Sequence, residues 1–410
     1  MHVTEPNVLL AMEEASRCLL CHDAPCSKAC PAETDPAKFI RSLRFRNFKG
    51  AMETIRTNNV LGGICARVCP TEKYCEGACS RTELEKPIRI AYLQQFLTDY
   101  ESKTDFTVLQ SQKPTKEKVA IIGSGPAGLA AAAELAKDGY AVTVFEAAAK
   151  LGGWLTYGIP ADRLPQEVVD KEISYVRDLG VTFKTNSKVN VDELQKQGYA
   201  AILVAVGLQK SRLPEIKGLD LTGVYTGTDF LRMAKTAPEK VQVGQKVVVI
   251  GGGDVALDCA STAKHLGAAD VKVVYRRTLE KMPASQKEKN RVHALNIPIF
   301  TGFKPAEIVG EKNKVVRFRA TGMFDDSSLD LPTDMVLLAI GQEADDLKAL
   351  GDFTLSGQVI ATNNYKTNIE GVFAAGDIIE GDKTVVYAIK TGKEAARSIK
   401  EYLAVKGGAK

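Results

Sequence analysis

Lys118-Val119-Ala120-Ile121-Ile122-Gly123-Ser124-Gly125-Pro126-Ala127-Gly128 is the stretch that decides the fold. A short β-branched run ends in a glycine-rich turn, and a helical pattern, Leu129–Lys137, follows it. Glycines at those positions permit a tight turn and let backbone amides approach a pyrophosphate at a helix N-terminus. The next β-branched run, Ala141–Phe145, ends at Glu146, where an acid can bind both ribose hydroxyls of an adenosine. Leu151-Gly152-Gly153-Trp154 then supplies a second glycine turn suited to a second phosphate. A lone GxGxxG is weak. Between a strand and a helix, with an acid after the next strand, it predicts a dinucleotide site rather than a structural βαβ turn.

Outward toward the C-terminus, Lys246-Val247-Val248-Val249-Ile250 leads into Gly251-Gly252-Gly253-Asp254-Val255-Ala256. Ala256 replaces the third glycine and still permits close helix–strand packing. The following strand, Val271–Tyr275, ends in Arg276-Arg277. An acid there favours the NAD ribose, whereas arginine accommodates a 2′-phosphate. This predicts a nicotinamide-dinucleotide site leaning to NADP, with a solvated basic turn as the bland alternative for the arginine pair. Further on, Gly371-Val372-Phe373-Ala374-Ala375-Gly376-Asp377 and Thr384-Val385-Val386-Tyr387-Ala388 read as a strand delivering Gly-Asp to a helix start. Asp377 would accept a ribityl hydroxyl, and the helix amides would face a flavin. Paired with the Gly123 site, this indicates FAD. Tyr199–Val206 and Met335–Ile340 are further buried-strand candidates, each followed by glycine.

Outward toward the N-terminus the texture becomes helical over Asn7–Ala15, Asp35–Arg46, Gly50–Asn58 and Ile88–Tyr100, broken by cysteine-rich turns. Glu101–Lys118 is polar, contains Pro114 and reads as a linker. Of nine cysteines, eight lie between Cys18 and Cys79. The first group is Cys18-x2-Cys21-x4-Cys26-x3-Cys30-Pro31; the second is Cys65-x3-Cys69-Pro70 with Cys75-x3-Cys79. Zinc sites favour closely spaced pairs with a longer spacer, whereas four cysteines within a short run ending in Cys-Pro resemble bacterial ferredoxin runs, whose fourth cysteine often ligates the other cluster. Two [4Fe–4S] clusters are therefore predicted, with Cys30 crossing over and one cysteine of the second group returning. Zinc and redox-active disulfides are the alternatives. His22 is expected to be a solvated loop residue. Cys259, Trp154 and His293 are read as structural. No cysteine falls between Cys79 and Cys259, so the flavin has no CxxC in its own domain.

The chain has 410 residues, 45% hydrophobic and 25% charged, and a formal charge of +4. That is an ordinary globular composition for two to four domains and indicates no nucleic-acid partner. No apolar run approaches the length of a membrane span. Met1–Leu10 lacks a basic region followed by a long apolar one, so a cytoplasmic protein is expected, where clustered cysteines more often bind metal than form disulfides.

The run Ala15-Ser16-Arg17-Cys18-Leu19-Leu20-Cys21-His22-Asp23-Ala24-Pro25-Cys26, together with Cys65-Ala66-Arg67-Val68-Cys69-Pro70 and the flavin motif, resembles the flavin-bearing subunit of bacterial dihydropyrimidine dehydrogenase. More distantly it resembles the small subunit of glutamate synthase and the N-terminal half of the fused eukaryotic pyrimidine dehydrogenase. Gly158-Ile159-Pro160, Arg163-Leu164-Pro165 and the stretch Gly376–Tyr387 share the likeness, which spans nearly the whole chain. The resemblance implies one cluster on Cys18, Cys21, Cys26 and Cys79. It implies a second on Cys30, Cys69, Cys75 and a glutamine matched by Gln95, with Cys65 a non-ligand.

The expected architecture is an α-helical iron–sulfur domain (1–100), a linker (101–117) and two α/β Rossmann-like domains of the pyridine nucleotide–disulfide oxidoreductase type. The FAD domain takes 118–242 and 334–410, with the NAD(P) domain, 243–333, inserted. FAD would contact Gly123, Ser124, Gly125, Pro126, Ala127, Gly128, Glu146, Gly153, Arg163, Gly376, Asp377 and Thr384. NAD(P)H would contact Gly251, Gly253, Asp254, Val255, Arg276 and Arg277. The resemblance implies an electron-input subunit: hydride passes from NAD(P)H to FAD, then single electrons pass through the clusters. No side chain is expected as general acid or base. The domains so assigned leave no room for a TIM barrel that reduces a pyrimidine. An FMN-containing catalytic subunit (PreA-like) is therefore the implied partner, in a heterotetramer that reduces uracil or thymine. A glutamate-synthase-type NADPH oxidoreductase and a zinc-bearing, non-catalytic redox sensor are the other readings.

Overall fold

The computed structural model describes residues 7–104, 106, 108–110 and 112–408. Positions 1–6 of the expected cluster domain, 105, 107 and 111 of the expected linker, and 409–410 lie outside the described residues. The N-terminal part is helical: Val8–Ser16, Pro36–Arg44, Phe48–Asn58 and Ile90–Glu101 match the four expected helices to within a turn. Local signals set their starts. Asn7 accepts from Leu10 N, Asn47 from Gly50 N, and Asp35 from Lys38 N with Pro36 at the first helical position. Their apolar faces meet in a core of Ala11, Phe39, Leu43, Ile55, Leu93 and Leu97.

A fifth helix, Gly62–Val68, was not legible. It opens with two glycines, poor helix formers, and has no local cap. Its exposed amides are met instead from more than 100 residues away. Glu172 accepts from Gly63 N and Ile64 N at 3.0–3.1 Å. Glu172 belongs to the helix Gln166–Asp178 and also pairs with Arg56 Nη1 at 2.5 Å. Arg56 is 2% exposed, pairs with Glu101 at 2.7 Å and donates to Val60 O. Burial works against its charge, but Glu172 and Glu101 more than offset this and hold its pKa above the ordinary arginine value.

The first parallel sheet has the order Val372–Ala374, Ala201–Val204, Lys118–Ile122, Ala141–Phe145, Thr182–Lys184. The fingerprint helix, Pro126–Lys137, packs against the last helix, Val385–Gly408. Gly392 makes that approach possible, since a Cβ there would lie 2.2 Å from Ala127 O. Between the helical part and this sheet, the described residues from 102 to 117 carry no helix or strand, as a linker should.

The second parallel sheet has the order Val224–Thr226, Met335–Leu338, Lys246–Ile250, Asp270–Tyr275, Ile299–Thr301. An antiparallel sheet, Phe303–Glu311, Lys314–Gly322 and Ser328–Pro332, shares its core through Val248, Val274, Phe318 and Val336. The chain separates into two compact units. The cysteine-bearing helices and the first sheet form one; Tyr157–Asp162 and Leu208–Asp345 form the other. Those limits differ from the expected boundaries at 242/243 and 333/334. Met335–Leu338, expected in the FAD domain, instead pairs in register with Val247–Ile250. A buried apolar strand announces itself in sequence without announcing its sheet.

Glu172→Ala leaves Arg56 half-paired in the interior and removes the cap of Gly62–Val68. It should lower the unfolding free energy by about 3 kcal/mol, read from urea midpoints. Glu101→Ala, which spares the cap, should lower it less.

Candidate redox-cofactor sites

Cys18, Cys21, Cys26 and Cys79 line one pocket, with Ala24, Pro25, Ile40 and Ile90 among its apolar walls. Cys18 and Cys21 precede the short helix Pro25–Lys28, Cys26 lies within it, and Cys79 stands immediately before Ser80–Glu83. Cys21 Sγ lies 3.6 Å from Ser80 Oγ. Burial, and then Cys79 and Cys18, push the Cys26 thiol up to about 11. His22 is exposed and does not line the pocket.

The second group gathers elsewhere in the same unit. Burial, then Cys65, Cys75 and Cys30, drive the Cys69 thiol far above its ordinary value. Burial and then Cys30 do the same to Cys75. Thr34 N donates to Cys30 Sγ, and Asn59 Nδ2 to Cys65 Sγ, both at 3.4 Å. Neither donor stood out in the sequence. Gln95 is half-buried, with its amide toward Asp99 at 3.5 Å. Its neighbour Gln94 is buried and donates to Gly62 O at 2.6 Å, at the start of the helix bearing Cys65. Among the described residues, no three His, Cys, Asp or Glu side chains are grouped as they would be around a bare metal ion.

At the first fingerprint, Gly123 has φ +104°, and a Cβ there would meet Ala205 O at 2.5 Å, so only glycine fits. Gly125 opens on free space, while Gly153 faces it, a Cβ there lying 3.1 Å from Gly125 Cα. Backbone is thus bare on two sides, as a pyrophosphate requires. Ser124 ties the turn together. Its N and Oγ donate to Glu146 Oε2 at 3.0 and 2.6 Å, and its Oγ accepts from Gly152 N. Gly376 abuts the same turn, a Cβ there lying 2.9 Å from Ala127 Cβ. The two distant flavin motifs therefore share one place. Beside Gly376, the buried Oδ1 of Asp377 has no hydrogen-bond partner among the described residues. An orphaned carboxylate oxygen next to a glycine cradle fits a group that brings its own hydroxyl donor, as FAD does. Thr384 Oγ1 accepts from Tyr387 N at the opening of the last helix. Arg163 is half-buried where the chain re-enters this unit.

The second fingerprint repeats the geometry in the other unit. A Cβ on Gly251 would lie 2.2 Å from Ala339 O, and Gly253 is open. Asp254 Oδ1 accepts from Ser285 N at 2.7 Å, holding the loop before Gln286–Ala294 against the helix start. Val255 follows in the first turn, half-buried. Arg276 and Arg277 are exposed at the strand end, and neither guanidinium has a hydrogen-bond or ion-pair partner among the described residues.

Two family models match. Residues 3–106 match the dihydropyrimidine dehydrogenase domain II family, a 4Fe–4S cluster domain, and 117–392 match the pyridine nucleotide–disulphide oxidoreductases. The PreT subunit of the NAD-dependent dihydropyrimidine dehydrogenase of Escherichia coli K12 is 50% identical over 96% of this chain and 95% of its own. The chain belongs to the PreT family. It is an iron–sulfur flavoprotein oxidoreductase using a nicotinamide coenzyme. More distant is the small chain of the NADPH glutamate synthase of Azospirillum brasilense, 32% identical over 97% of this chain and 90% of its own. Mycobacterium tuberculosis FprA in complex with NADPH shares the fold, with a TM-score of 0.61 and 19% identity over 72% of this chain and 86% of its own. No helix among the described residues is long and apolar enough to cross a membrane.

Burial raises the Asp377 carboxyl to about 6 from its ordinary value of 3.8. The folded, flavin-free chain therefore holds this proton more tightly than the unfolded chain. The stability so gained is complete below the unfolded value and is lost as pH rises through about 6. At neutral pH, Asp377→Asn should stabilise the flavin-free protein by about 2 kcal/mol, read by thermal melts. The same change should weaken flavin retention on gel filtration.

Proposed function

We propose that this chain is the electron-input subunit of a cytoplasmic dihydropyrimidine dehydrogenase. It takes electrons from NAD(P)H and delivers them to an FMN-containing partner, in a heterotetramer that reduces uracil and thymine to their 5,6-dihydro forms. The observation that carries this reading is the meeting of Cys18, Cys21, Cys26 and Cys79 at one pocket, within the same compact unit as the flavin motifs. Relatives matched over 95% of their own length bear the name of a subunit, which supports a separate partner.

The chain's own residues bind and orient. Gly125 and Gly153 leave backbone open to the FAD pyrophosphate, Glu146 and Ser124 shape the adenosine end, and Asp377 receives a ribityl hydroxyl. The first cluster is held by Cys18, Cys21, Cys26 and Cys79. The second is held by Cys30, Cys69 and Cys75 with a glutamine. Burial favours Gln94 over Gln95 for that place, while Asn59 holds Cys65 aside. Bound FAD would supply hydride acceptance and single-electron release, and the clusters single-electron carriage. No protein acid or base is needed.

Anaerobically purified protein should contain about eight iron atoms per FAD and show reduced-cluster EPR signals after addition of NAD(P)H. Gln94→Ala should alter one of those signals and Gln95→Ala should not. The isolated chain should reduce artificial acceptors but not uracil. Uracil turnover by this chain alone, or zinc in place of iron, would sink the reading.

The relatives are named NAD-dependent, yet two unpartnered arginines at the end of Asp270–Tyr275 suit a 2′-phosphate. NADPH is therefore proposed as a good coenzyme here. Arg276→Ala with Arg277→Ala should raise KM for NADPH by about tenfold or more and leave NADH nearly unchanged. Equal losses for both would show that the pair does not read the phosphate.

A further inference from the structure

Tyr74 directly precedes Cys75, at the end of the turn Thr71–Lys73. Its hydroxyl donates to Asp382 Oδ2 at 2.6 Å and lies 3.5 Å from Thr384 Oγ1. Both partners lie in the chain between Asp377 and the last helix, Val385–Gly408. The loop carrying Tyr74 is stiff in itself. Glu76 N and Gly77 N donate to Thr71 O, Ala78 N donates to Tyr74 O, and a Cβ on Gly77 would lie 2.1 Å from Glu72 O. Glu76 Oε1 further accepts from Ala91 N at 2.9 Å. A stiff loop moves as a body, so one strong contact at its tip sets where its cysteines sit. The phenol–carboxylate bond is such a contact, charge-assisted and short. Tyr74 is only half-buried, so apolar packing does not require a tyrosine there.

We propose that Tyr74 is a positioning residue that fastens the loop of Cys69 and Cys75 to the flavin cradle and so fixes the gap between the flavin and the second cluster. This rests on the function proposed above. Two electrons leave NAD(P)H as one hydride. Two clusters take up one electron each, and the protons acquired by the flavin return to solvent. Electron transfer between two separately held centres slows as the gap between them widens, so a contact that sets this gap has a kinetic signature.

The test uses the anaerobic holoprotein as wild type, Tyr74→Phe, Asp382→Asn and the double variant. After mixing with NADPH, flavin bleaching is followed optically and cluster reduction by freeze-quench EPR. Redox titration gives the midpoint potentials. Flavin bleaching should stay within about twofold of wild type and the potentials should be unchanged. Cluster reduction should slow by about tenfold in each single variant and no further in the double, as expected for two partners of one contact. Cluster reduction at the wild-type rate in Tyr74→Phe would overturn the proposal. Equal slowing of both phases, or loss of iron from both variants, would make Tyr74 merely structural and also overturn it. A wild-type protein without flavin or iron would instead sink the function on which the proposal rests.

Discussion

The buried contact among Arg56, Glu101 and Glu172 is the constraint on which the cofactor-bearing unit depends. Arg56 comes from the helix Phe48–Asn58, Glu101 from the helix that closes the cysteine domain, and Glu172 from a helix of the flavin domain. A charge buried this deeply persists only if every partner stays. Glu172 also caps the helix Gly62–Val68, which leads directly into Cys69. The second cysteine group therefore owes its shape to a residue of the flavin domain. Lys393 adds a strut from the last helix, donating to Ala32 O and Asn58 O at 2.7 and 2.8 Å, just past Cys30. This explains why the cysteine helices and the flavin sheet form a single compact unit although a polar linker separates them in the chain.

Two dinucleotide folds in one chain show which parts of the fingerprint are rigid requirements. The first glycine of each, Gly123 and Gly251, is pressed against a carbonyl of the neighbouring strand's end, Ala205 and Ala339. The middle glycines, Gly125 and Gly253, face open space in both, leaving backbone bare where a phosphate would approach. The third position differs. A Cβ on Gly128 would collide with Gly123 O at 2.1 Å, whereas Ala256 carries its methyl fully buried. The turn, not the motif, decides whether that methyl is tolerated.

Local chemistry made most of this legible. Fingerprint strands, the apolar spacing of the N-terminal helices and the cysteine runs each announce themselves within a few residues. What stayed hidden was long-range. No local signal assigns Met335–Leu338 to the second sheet, since its apolar residues would suit either. None starts a helix at Gly62-Gly63 without Glu172. The spacing of the cysteines suggests a crossover at Cys30 but not that Cys65 shares its neighbourhood, and the resemblance points to Gln95, whereas its neighbour Gln94 is the more buried of the two. Ser124 was legible as part of a motif, but not as the knot between Glu146 and Gly152.

Burial sets an opposition at the cysteine sites that the rest of the unit must resist. Thiol pKa values rise to about 11 at Cys26, and further at Cys69 and Cys75, because burial disfavours thiolate charge. In the proposed cluster sites ligation would require that charge, so iron would have to bring enough positive charge to offset the burial of several thiolates and displace their protons. A soft scaffold would relax by letting water in. Here the Arg56 contact, the Glu172 cap and the Lys393 strut act against such opening, each fixed to the flavin domain rather than to the cysteine loops. The flavin domain thus helps to hold these pockets shut, so that a thiolate would form there only together with the cation that offsets its burial.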